Sequence, residues 1–225
     1  MCGRFNLIDS PQVQWLCKAL GIELYDEHTS RDIAPGGDIA IVHERAGERV
    51  VSTATWWLFL DNETLKPNYK YASFNSRSDK LSSKRALAYK PFRESRCLIP
   101  ASAFIEGLGD KKTYHMIELE DSAIAFGGLF KEYLNKESGE VIYSVSIITL
   151  PPLSPQWDEI HPKSLPLMID FEDEDLVSRW LDPSNQGVEQ FEALLEPIVL
   201  KPMKITKIDK PSRWNPIAES FMIMK

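Results

Sequence analysis

The sequence reads as an α+β chain built on a largely antiparallel, barrel-like sheet with a few flanking helices. Three observations predict this. Strand-length apolar runs recur through the middle of the chain between Gly, Asp and Ser turn signals. Only a few segments carry helical spacing. The two kinds never alternate in the regular order a parallel sheet requires. With 225 residues and no linker, repeat or low-complexity stretch, one domain over residues 1–225 is expected.

Each element follows from local signals. Ser10 can cap a helix that Pro11 opens; Val13, Leu16, Cys17 and Leu20 recur at helical spacing, and Gly21 ends it. Cys17 is therefore expected on the buried stripe. Ile39–His43 and Arg49–Thr55 flank a turn at Gly47 and read as a hairpin. Arg77–Tyr89 is polar, helical or loop-like, and Arg96–Ile105 is one apolar extended run. Thr113–Leu119, Ala123–Phe130 and Val141–Thr149 read as strands, with turns at Gly109-Asp110, Asp121 and Ser138-Gly139. Five prolines make Leu150–Pro166 irregular but stiff. Asp170 can cap a helix whose first turn, Glu172–Asp175, is acidic and suits the positive end of the helix dipole. A short helix near Gln186–Leu195, a strand near Met203–Ile208 and an extended tail complete the chain.

Composition narrows the function. Hydrophobic residues make up 43% and charged residues 26%, which is ordinary globular usage. A net charge of −7 argues against general affinity for nucleic acid. No run approaches the ~18 apolar residues a membrane span needs, so no membrane partner is expected. The start of the chain lacks a secretory pattern, and Cys2, Cys17 and Cys97 are too few and too scattered for a disulfide framework, so a reducing cytoplasm is expected. Walker, dinucleotide and nucleophile-elbow motifs are missing, as are the close Cys and His spacings of a zinc site. His43 and His115 lie in strand patterns and read as structural, and His28 as surface. No metal and no cofactor is expected.

One position stands out by its place. Cys2 follows the initiator Met1 and is small enough for Met1 to be removed. It would then carry a free α-amine and a thiol on adjacent carbons. With reference pKa values near ~7.7 and ~8.5, the amine is largely nucleophilic at neutral pH and the thiol partly ionised, more so beside a cation such as Arg4. Such a 1,2-aminothiol condenses with an aldehyde to an imine, and the sulfur then closes a five-membered thiazolidine. The same residue could serve an N-terminal-nucleophile amidohydrolase acting on a small amide, or be an incidental small second residue in a binding module.

Several blocks in fixed order resemble one family. Met1-Cys2-Gly3-Arg4-Phe5, Ala34-Pro35-Gly36, Asn75-Ser76-Arg77, Arg96-Cys97-Leu98-Ile99-Pro100 with Phe104-Ile105-Glu106, and Ile160-His161 with Lys163 and Pro166 are similar to the blocks of the SRAP (SOS-response-associated peptidase) family. The resemblance spans residues 1 to about 170. Members of that family crosslink to abasic sites in DNA. It implies that Cys2 is the nucleophile, exposed after autocatalytic removal of Met1, and that Glu106 is the general acid/base. His161 would be a second proton shuttle, and Asn75 would hold the Cys2 backbone or the sugar. Arg4 and Arg77 would grip phosphates, Lys163 would carry charge beside His161, and Trp56, Trp57 and Phe59 would wedge against bases, with a buried aromatic core as the competing reading for at least one of the tryptophans. The implied partner is single-stranded DNA carrying an abasic site, met by a monomer in the cytoplasm and at the nucleoid.

Charge patterning fits that reading. From Arg77 to Arg96 there are seven basic residues, Arg85 among them, against Asp79 and Glu94, which reads as a strand-binding track or as a solvated face. Four positions depart from the family pattern: Asp32 where Asn is usual, Trp57 for Gly, Gly107 for Trp, and Lys163 for Arg, which keeps the charge but loses the bidentate fork.

Overall fold

The computed structural model describes residues 2–225. In chain order the elements are β1 (Phe5–Leu7), α1 (Pro11–Leu20), β2 (Ser30–Ile33), β3 (Asp38–Arg45), β4 (Glu48–Thr55), β5 (Asn75–Arg77), α2 (Tyr89–Glu94), β6 (Arg96–Ala101), β7 (Ala103–Gly107), β8 (Tyr114–Leu119), β9 (Ile124–Leu134), β10 (Val141–Leu150), β11 (Leu165–Pro166), α3 (Glu174–Leu181), β12 (Met203–Ile208) and β13 (Phe221–Ile223). Short 3-10 turns occupy Asp26–His28 and Ser78–Lys80, and a longer one spans Val188–Leu195 where a helix near Gln186–Leu195 is expected.

The strands form two layers. One is an open sheet in the order β13-β12-β8-β7-β1-β2. In the other, β10, β4, β3, β6 and β9 pair in turn and β9 pairs back to β10, closing a five-stranded barrel. The α+β, largely antiparallel, barrel-like expectation therefore holds. Among the described residues the parallel pairings are β4 with β10 and β5 with β10, while β4 is antiparallel to β3. Aromatic rings lock the layers together: Phe5 of the open sheet lies edge-on to Trp56 and Phe126 of the barrel side at 5.0 and 5.9 Å, and Phe104 meets Phe126 at 5.6 Å.

The expected helix 11–20 forms with its predicted caps. The Ser10 side chain accepts from the Val13 N–H, and Gly21 turns left-handed at φ 65°. Cys17 is only half-buried at the rim of this helix, while Val13, Leu16 and Leu20 take the buried stripe. His43 and His115 are buried within β3 and β8 as expected, whereas His28 is half-buried and accepts from the Tyr25 N–H. Arg96–Ile105 is two strands rather than one, because Ser102 breaks the run and sends β7 to pair with β1 and β8. The acidic helix starts later than expected. Asp173 caps α3 by accepting from the Leu176 N–H, and Asp170 instead accepts from the Glu172 N–H in the turn before it.

Gly127 and Gly128 sit where β9 has no room for a side chain. A Cβ at Gly128 would lie 2.7 Å from Ile99 Cδ1 and 2.8 Å from Cys97 Sγ. Gly128→Ala is expected to destabilise the fold by about 1–3 kcal/mol through overpacking, read as a lower urea midpoint with an unchanged denaturant slope.

Candidate functional site

The site forms where the first residues of the chain cross the ends of both layers. Cys2 is fully buried just ahead of β1. Asn75 begins β5, which lies parallel on β10 with Asn75 opposite Ile147. From there its Nδ2 donates to the Cys2 carbonyl at 2.7 Å, while its Oδ1 is buried without a hydrogen-bond partner. Glu106 lies near the end of β7, 2% exposed. His161 comes from the proline-rich connection between β10 and β11, and its Nδ1 is 3.6 Å from Glu106 Oε2. The four residues expected to form the site thus converge, although they lie up to 159 positions apart in the sequence.

Burial sets the protonation states. Loss of water pushes the Glu106 carboxyl from 4.5 up to about 7. The same effect, with the nearby Glu106 charge second, pushes the Cys2 thiol well above its ordinary value. That corrects the expectation of a thiolate helped by Arg4: the resting thiol is protonated, and the Arg4 guanidinium is engaged elsewhere. His161 is shifted down by burial and is neutral at pH 7. Its Nδ1 lies 2.6 Å from the Gly107 carbonyl, which can only accept, so the proton sits on Nδ1 and Nε2 is left as the acceptor.

A groove of about 450 Å³ has Arg77, Asp79, Thr149, Pro152 and Lys163 in its walls, and two of these, Arg77 and Lys163, lie two positions along the chain from Asn75 and His161. Two expected phosphate contacts, Arg77 and Lys163, therefore share one cleft. At present Arg77 donates from Nε and Nη2 to Asp79 at 2.9 and 2.8 Å. Lys163 and Arg85 are exposed. The basic run is not uniformly a track. Arg96 is buried and bonded to backbone carbonyls, Arg93 lies over the Tyr89 ring at 3.8 Å, and Lys90 pairs with Glu94 at 3.5 Å.

Trp56 and Trp57 are not available to wedge against bases. Trp56 is 0% and Trp57 7% exposed, and their indole N–H groups donate to the carbonyls of Phe74 and Asn68. The accessible aromatics are others. Tyr69 and Tyr71 are exposed, and Phe59 meets Tyr71 edge-on at 5.5 Å, with Lys66 and Lys70 exposed on the same loop. The interleaved Lys66-Pro67-Asn68-Tyr69-Lys70-Tyr71 string was the sequence signal for this surface.

Among the described residues no helix is long and apolar enough to cross a membrane. The model of the SOS response associated peptidase (SRAP) family matches residues 1–211. The chain is 28% identical over 205 residues to the abasic site processing protein YoqW of Bacillus subtilis (strain 168), covering 88% of this chain and 87% of that one. It is 26% identical over 175 residues to the abasic site processing protein HMCES of Xenopus tropicalis, covering 68% and 51%. Solved proteins from Bordetella bronchiseptica (TM-score 0.71, 16% identity, 93% of this chain and 100% of that one) and Bacteroides thetaiotaomicron (TM-score 0.65, 20% identity, 95% and 97%) share the fold. With its Cys2–Asn75–Glu106–His161 cluster, this chain belongs to the SOS response associated peptidase family.

Proposed function

We propose that this chain is a single-domain processor of abasic sites in single-stranded DNA that captures the lesion covalently on Cys2. The observation that carries the reading is the convergence of Cys2, Asn75, Glu106 and His161, together with a groove holding Arg77 and Lys163. The names of the relatives point to the same substrate. Autocatalytic loss of Met1, a residue outside those described, precedes capture and is the one peptidase turnover of the chain.

The chemistry follows from the protonation states. His161 Nε2 takes the proton of the sugar C1 hydroxyl and returns it to the ring oxygen as the bond from that oxygen to C1 breaks and the aldehyde forms. The Cys2 amine adds to that aldehyde carbon, and Glu106, present in both protonation states near pH 7, donates the proton that lets water leave and an imine form. The Cys2 thiol then adds across the imine, its sulfur bonding to carbon and its proton passing to nitrogen. One water is released overall. Asn75 holds the Cys2 carbonyl in place, and its free Oδ1 is an acceptor for a hydroxyl of the opened sugar. A thiol that starts protonated places amine attack before sulfur attack.

Phosphates on either side of the lesion suit Arg77, Lys163 and Arg85. Bases suit the exposed Tyr69 and Tyr71 with the half-buried Phe59 against Tyr71, where stacking tolerates any sequence. One chain supplies all four site residues, so a monomer suffices.

Incubation with a single strand carrying one abasic site tests the reading. A denaturation-resistant adduct is expected from the wild type and none from Cys2→Ala; an undiminished adduct in that variant would sink it. Mass spectrometry of the reactive protein is expected to show Cys2 as its first residue.

A further inference from the structure

Arg4 stands two residues from Cys2, and its backbone carbonyl accepts from the Ile105 N–H next to Glu106. Its guanidinium already holds an anion. Nη1 lies 2.6 Å from Asp32 Oδ1 and 2.5 Å from Oδ2. The pairing follows from register. Phe5 of β1 lies opposite Ile33 of β2, which puts Arg4 and Asp32 on one diagonal of the same face. Asp32 Oδ1 also accepts from the Trp214 indole at 3.2 Å, so the loop between β12 and β13 is tied to the same carboxylate. Trp214 holds φ at 60°, a left-handed conformation that a bulky aromatic residue rarely adopts. Arg4 and Trp214, donors from distant segments, thus share one carboxylate, and the arginine it holds is the one nearest Cys2 in sequence.

We propose that Asp32 is a built-in competitor for DNA phosphate at Arg4, which keeps non-covalent affinity for intact strands low and leaves retention to the covalent bond. A carboxylate presents two oxygens to a guanidinium much as a phosphate does. A strand that reaches Arg4 must displace Asp32 and then share the neighbourhood with its negative charge. The pair is partly exposed, 25% for Arg4 and 38% for Asp32, so it is weak enough to be exchanged. The proposal rests on the DNA reading above, and it assigns Asp32 and Trp214 to setting affinity rather than to the chemistry.

The test uses full-length protein and fluorescence anisotropy. The probes are an undamaged single strand and one carrying a tetrahydrofuran abasic mimic, which has no aldehyde and cannot crosslink. Titrations run between about 50 and 200 mM salt. Asp32→Asn is expected to tighten both complexes about three- to tenfold at the low-salt end. It should also steepen the dependence of log K on log salt by about 0.7, the worth of one added phosphate contact on a single strand. In an Arg4→Gln background the same substitution is expected to change neither quantity. Trp214→Phe, which removes the indole donor and keeps an aromatic ring, is expected to move affinity in the same direction by less.

An Asp32→Asn protein that binds no tighter with an unchanged salt slope overturns the proposal. So does an equal gain in the Arg4→Gln background, which would be a general charge effect, and so does the absence of binding by every variant. Failure of the functional reading is seen separately, as loss of the Cys2-dependent adduct on an aldehydic strand.

Discussion

Glu106→Gln is expected to slow adduct formation about a hundredfold or more while making the protein more stable at pH 8. The rate loss follows from removing a carboxyl that can both donate and accept near neutrality; Gln can do neither. The stability gain follows from linkage. The folded carboxyl titrates at about 7 against an ordinary value of 4.5, so the native state binds its proton more tightly than the unfolded chain does. Stability is therefore unaffected by this group below about pH 4.5 and falls as pH rises toward 7. Above that it is lower by roughly 3 kcal/mol. Gln carries no charge at any pH and escapes the penalty. Melting curves at pH 4 are expected to coincide, and at pH 8 the variant should melt higher. A variant that is inactive and melts lower at pH 8 would mean that Glu106 is a structural residue.

The second large effect is at Arg96, which holds the α2 and α3 ends of the molecule to the barrel. All five of its N–H groups are used. Nε donates to Trp180 O at 2.7 Å, Nη1 to Phe92 O and Arg93 O at 2.8 Å, and Nη2 to Asp182 O and Asn185 O at 2.8 Å. Burial lowers its pKa to about 10, which still leaves it charged at any physiological pH. Arg96→Ala leaves those carbonyls without their donor and a cavity beside Trp180 and Phe191, and is expected to cost about 4 kcal/mol or more. Arg96→Lys, with three donors at most, is expected to recover only part of that. Urea midpoints read both; a loss under about 1 kcal/mol for Arg96→Ala would show that the carbonyls find other partners.

These two residues show what the sequence could and could not reveal. Helix 11–20 and the β3–β4 hairpin were legible because their signals are local: a Ser-Pro start, a Gly stop, a Gly turn between apolar runs. β1, β5 and β13 are three residues each, too short to show alternation, and β1 is held by a partner about a hundred positions away. Asn75, Glu106 and His161 became candidates through resemblance, not spacing. What joins them is that β5 rides on β10 and β7 lies beside β1, and pairings of that range leave no periodic trace. Arg96 read as one more charge in a basic run because burial of a guanidinium has no signature of its own. The tryptophans misled for the converse reason, since an indole suits a core and a stacking surface equally.

The burial of Cys2 has a consequence for the life of the protein between encounters with damage. Oxidants and alkylating metabolites attack the thiolate form of cysteine, and they must reach it. A fully buried thiol held in its protonated form offers them neither access nor electrons. On the proposed reading Cys2 acts only once, so it has to survive unspent until its aldehyde arrives. In the chain that still carries Met1, low accessibility and a high thiol pKa provide that protection until processing.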